Sequence, residues 1–133
     1  MSCNSAIYAV NTAEQTIGEN ITTTINFGAP ERRFGNALNM SGGNVEVNGY
    51  GFYEVIVFLA ITPNAGEVTI QILNNGVPVP GKTLTFTSAG ALNIITLPCV
   101  VREKCGCSQS ITVTVTAEAG ATVSDATIEV VKL

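Results

Sequence analysis

The chain has no histidine, no tryptophan, a single aspartate and only six lysines and arginines among 133 residues. Each shortage excludes something. Without histidine the commonest general base is missing, and no serine sits in a G-x-S-x-G turn, so a hydrolase triad is not available. Asp125 and the nine glutamates are scattered singly among turns and strand edges. Glu14, Glu19 and Glu31 share the N-terminal part, but their spacing marks no catalytic carboxylate pair, and the acids read as solvated surface groups. The glycine turns "SGGN" and "NGYG" are not a phosphate-binding loop. No enzyme activity, catalytic residue or cofactor is therefore expected.

The positive charges are equally sparse. Lys82, Lys104, Lys132, Arg32, Arg33 and Arg102 form no basic stripe, and the net charge is −4, so no nucleic-acid partner is expected. The start "MSCNSAIYAV" lacks a basic segment followed by an apolar core and cleavage site, so no signal peptide is read there. The longest apolar run, Val55 to Ile61, falls far short of the ~20 residues of a membrane-spanning helix. These features predict a soluble protein made in the cytoplasm, with no membrane partner.

What the chain does have is alternation. In "ITVTVTAEAG", Ile111, Val113 and Val115 fall on one face of a strand and Thr112, Thr114 and Thr116 on the other. "EVTIQIL" repeats the pattern, and "ATVSDATIEVVKL" follows it more loosely. Turn signals separate these runs: "NMSGGN", "TPNAGE", "NNGVPVPG", "TSAGA" and "EAGA". Asn75-Gly76 between two β-rich runs is a hairpin signal. Strands are predicted near residues 5–11, 21–27, 33–40, 44–48, 52–61, 66–74, 77–87, 91–101, 109–118 and 122–132. With no helical periodicity, internal repeat or linker, the reading is one all-β domain over residues 1–133, an antiparallel sandwich or barrel.

One strand breaks the two-faced rule. In "GFYEVIVFLAI", Val55, Val57, Leu59 and Ile61 can face the core, which turns Ile56, Phe58 and Ala60 outward. Charged residues make up only 12% of the chain against ~25% in ordinary soluble proteins. An apolar outer face on so weakly charged a chain predicts a symmetric oligomer with Ile56 and Phe58 at the subunit interface.

Two other stretches stand out. Cys99, Cys105 and Cys107 lie in "PCVVREKCGCSQS", and Cys3 lies near the start. The four thiols can be read as a tetrahedral metal site, as disulfides, or as reduced thiols. The C-x5-C-x-C spacing lacks the paired C-x2-C knuckle of zinc sites. Cys3 and the three later cysteines are nevertheless expected to cluster at one end of the fold. In "APERRFGNALNM", Arg32 and Arg33 precede Phe34. They read either as a solvated turn or as an interface group that binds carboxylates of a neighbouring subunit or anchoring partner.

"GFYEVIVFLAI", "VTIQILNNGVPV" and the closing "ATIEVVKL" resemble the C1q/tumour-necrosis-factor-like jelly rolls over about residues 20–133. The resemblance implies a ten-stranded jelly roll that assembles as a homotrimer through one face. The family's calcium ligands and receptor loops have no match here. The series "MSCNSAIYAVNT", "INFG", "RRFG", "MSGG" and a late "VR-x-KC-x-C" resembles small phage and prophage proteins of Gram-positive gut bacteria, head-decoration or head-fibre components of the virion. That likeness implies a capsid protein as partner and a place on the virion after synthesis in the host cytoplasm. No coiled coil or fibre shaft is present, which favours decoration. Other readings are a jelly-roll module that binds a host-surface glycan or protein, and a bacterial surface or spore-coat domain, although no Gly-X-Y segment occurs.

Overall fold

The structure is a computed structural model that describes residues 5–104 and 108–133. Among the described residues twelve strands follow in order: β1 (Ala6–Asn11), β2 (Gln15–Ile17), β3 (Thr23–Thr24), β4 (Pro30–Phe34), β5 (Leu38–Ser41), β6 (Asn44–Asn48), β7 (Gly51–Pro63), β8 (Gly66–Asn74), β9 (Val77–Ser88), β10 (Asn93–Glu103), β11 (Ser108–Ala117) and β12 (Ala121–Lys132). None of the described residues forms a helix long and apolar enough to cross a membrane.

The strands form two sheets. The first runs β10-β7-β12-β1-β4, with β2 beside β12; the second runs β5-β6-β11-β8-β9, with β3 beside β11. The chain changes sheet at nearly every turn from β6 onward, so strands adjacent in sequence mostly face each other across the core. Only β8 and β9 stay together, joined by Asn75 and Gly76 with φ of 51° and 82°. Two consecutive residues at positive φ make the tight hairpin turn that the Asn-Gly pair predicts.

Alternation builds the core. Ile111, Val113 and Val115 of β11 are fully buried, as are Val55, Val57, Leu59 and Ile61 of β7 in the opposing sheet. The looser pattern of β12 has a local cause. Its register against β7 shifts between Val123 and Asp125, where Ser124 Oγ donates to Ala60 O at 3.3 Å. This bulge resets the parity, so Val123 points inward before it and Ala126, Ile128 and Val130 after it.

The strand expected at 33–40 is instead two. Gly35, at φ 79°, turns the chain out of β4 in the first sheet and towards β5 in the second. The strand expected at 21–27 shrinks to Thr23–Thr24. Beyond it Ile25 and Phe27 are buried, but side chains replace part of the ladder. Asn26 N donates to Gln15 Oε1 at 2.9 Å, and Gln15 Nε2 donates to Asn26 O at 2.8 Å. Gln15 itself belongs to β2, a three-residue strand too short to show a periodicity.

Candidate functional site

The outer face of the first sheet carries side chains that the core does not absorb. The register lays its side chains out in rows. Thr96 of β10, Phe58 of β7, Thr127 of β12 and Val10 of β1 form one row. Pro98, Ile56, Glu129, Tyr8 and Arg32 form the next, and Val100, Glu54, Val131, Ala6 and Phe34 the one after. Ile56 and Phe58 are half-buried by their neighbours, whereas Val100, Phe52 and Phe34 stand at least half in water at 53%, 51% and 66% exposure.

This face brings together four of the five residues expected at an interface. Ile56 and Phe58 lie at its centre, and Arg32 and Phe34 at its β4 edge. An open depression of about 270 Å³ at that edge is lined by Tyr8, Arg32, Phe34, Glu129 and Val131. Arg33 differs. It also borders the depression, but its Nε donates to Leu38 O at 2.7 Å, tying β4 to β5. Tyr8 and Glu129 belong to the depression but were not singled out by sequence, because each sits in an ordinary alternating strand.

The acids correct one expectation. Glu103 is not a solvated surface group but 2% exposed, pointing inward in the series Leu97, Cys99, Val101, Glu103. Its Oε1 accepts from Asn74 Nδ2 at 2.8 Å. With its amide oriented to donate, Gln109 Nε2 lies 2.8 Å and 3.1 Å from the two carboxylate oxygens. Tyr53 is fully buried nearby and donates to Gly49 O at 3.2 Å. Burial, and then the charge of Glu103, push its phenol above the ordinary tyrosine value. The period-two position of Glu103 behind three inward residues was the available signal.

Of the four cysteines, Cys3, Cys105 and Cys107 lie outside the described residues, and so does the expected sulfur cluster. Cys99 is a free, buried thiol on β10. Burial pushes its pKa up, while the Lys82 ammonium pulls it down. Among the described residues no group of three or more cysteines and acids is placed to hold a metal ion.

No protein-family model matches the chain, and no curated protein matches it in sequence. Solved structures do. The PRD1 vertex protein P5 superposes with a TM-score of 0.71 at 13% identity, covering 100% of this chain and 99% of that one. Murine APRIL gives 0.73 at 17% identity, covering 98% and 99%. Eiger TNF from S. frugiperda gives 0.70 at 15% identity, covering 98% and 92%. At these identities the likeness is one of fold: the chain is an antiparallel jelly roll of the C1q/TNF-like type, built like a vertex protein and like TNF-family proteins.

Proposed function

We propose that the chain is a non-enzymatic structural protein of a phage particle, standing on the capsid as a homotrimeric decoration or head-fibre component. The observation that carries this reading is the apolar outer face of the first sheet. Ile56, Phe58 and Ile94 share the part of that face away from its Gly51 end, on a chain with few charges to keep it dispersed. Each large apolar side chain withdrawn fully from water contributes about 1.5–3 kcal/mol. Several together offset the roughly 4–15 kcal/mol lost on association. A heterologous contact that closes in three steps covers these side chains in every copy and leaves no open end for fibre growth.

The resemblance of "INFG", "RRFG" and the late cysteine stretch to phage virion proteins supports the particle, as does the fold shared with a vertex protein. The test is mass spectrometry of purified virions from the phage that encodes the chain. The reading requires the protein in intact particles at a fixed ratio to the major capsid protein. Its absence from particles, with the protein free in the lysate, would refute it.

A further inference from the structure

The charges are sorted along the strand axis. With β7 as a ruler from Gly51 to Pro63, all six bases lie in the Gly51 half. Arg102 is opposite Phe52, Lys132 opposite Tyr53, and Lys104 follows Glu103, which is opposite Gly51. Arg33 and Arg32 reach the levels of Val55 and Ile56 through β1 and β12. Lys82 acts on Cys99, which is opposite Val55.

The other half holds five acids and no base. Glu67 begins β8, and Glu118 N donates to Glu67 O at 2.9 Å beside it. Glu19 bridges to Ala117, Glu14 precedes Gln15 on the rim, and Asp125 is opposite Ala60. Glu31, Glu46, Glu54, Glu103 and Glu129 share the basic half, so six bases and five acids leave +1 there, and the five acids leave −5 at the other end.

Exposed aromatic side chains are sorted the same way. Tyr50 (66%), Phe52 (51%), Phe34 (66%) and Tyr8 (38%) lie in the basic half, whereas among the described residues the large apolar side chains exposed in the acidic half are aliphatic: Ile21, Leu92 and Ile94. At the basic tip a groove of about 210 Å³ runs between β9 and β10, walled by Val77, Pro78, Pro80, Val100 and Arg102. The Arg102 guanidinium lies 5.7 Å over the Phe52 ring.

Resting on the proposed function, we infer that the chain is seated on its particle by this basic, aromatic end, and that the end fits an acidic protein surface offering an aliphatic side chain. The groove takes the aliphatic anchor. Arg102, Lys104 and Lys132 meet its carboxylates, and aromatic and arginine side chains are the groups most enriched where proteins bind. The acidic end then faces solvent, where uncompensated charge keeps particles apart. A phosphate lattice is a poorer fit, because three cations stand among aromatic and aliphatic groups on a chain of net negative charge.

The test uses virions depleted of the protein, to which purified full-length chain is added back. Two double variants are compared with wild type: Arg102→Glu with Lys104→Glu, and Glu67→Lys with Glu118→Lys at the other end. Reversal at the basic end is expected to lower particle retention by about tenfold or more and flatten its salt dependence, while reversal at the acidic end leaves retention within about twofold. The opposite order overturns the inference while leaving the virion role standing. Failure of the wild type to bind particles refutes the virion role and the inference with it. Retention on plasmid DNA or phosphatidylglycerol vesicles in place of particles overturns the choice of partner. Carbodiimide cross-linking of bound wild-type chain needs no variant to fold. Cross-links from Lys104 or Lys132 to particle carboxylates support the inference; cross-links confined to Glu67 and Glu118 overturn it.

Discussion

Asn74 Nδ2 donates to Glu103 Oε1 at 2.8 Å, and this bond joins the two sheets, since Asn74 ends β8 and Glu103 ends β10. A carboxylate buried at that depth is held by side-chain amides rather than by a cation. The arrangement staples one end of the sandwich where the apolar core gives out.

Replacing Glu103 with leucine removes the acceptor and leaves the Asn74 amide buried without a partner. The expected cost is about 1–3 kcal/mol of unfolding free energy, measured by urea titration. Glu103→Gln keeps an acceptor and should lose less. Equal stability of Glu103→Leu and wild type would show that the staple contributes nothing.

Tyr53 gives a pH dependence of known sign. Its folded pKa is raised above the ordinary 10.0, so its contribution is fully present below pH 10.0 and is lost as pH rises through the folded value. Unfolding free energy should therefore decline above pH 10.0 more steeply in wild type than in Tyr53→Phe. The variant itself should be about 0.5–1.5 kcal/mol less stable at neutral pH, through loss of the bond to Gly49 O. Parallel pH profiles would contradict this assignment.

The Cys99 thiol is buried and its pKa raised from 9.0, so it should resist iodoacetamide in the native protein at neutral pH. Peptide mapping after timed alkylation reads this position separately from the other three cysteines. Labelling of Cys99 should accelerate with urea in step with unfolding. Rapid native labelling would place the thiol at the surface.

Much of this fold was legible because its information is local. Strict alternation marks β8 and β11, and Asn75-Gly76 marks the turn between β8 and β9. The apolar outward positions Ile56 and Phe58 announce a second surface on β7. What was not legible depends on the partner strand or on a side chain replacing backbone. The bulge at Ser124 hides the parity of β12, Gly35 splits one expected strand into two sheets, and Gln15 stands in for a strand beside Asn26. The bond of Arg33 Nε to Leu38 O follows only once β4 is known to end at Phe34 and β5 to begin at Leu38. Glu103 was misread because charge usually outweighs position, and here two amide-bearing neighbours from the other sheet make its burial tolerable.

The central claim is that the outer face of the first sheet around Ile56 and Phe58 is covered by other copies of the chain. Sedimentation equilibrium at micromolar concentration, on wild type and on Phe58→Glu, tests it most directly. Phe58 sits half-buried amid that face, so a glutamate there would enter the interface as an unpaired charge, while a lone protomer leaves it access to water. The account predicts a wild-type species of three times the 13.8 kDa chain mass and a folded, monomeric Phe58→Glu. A monomeric wild type, or a trimer that persists with glutamate at position 58, would contradict it.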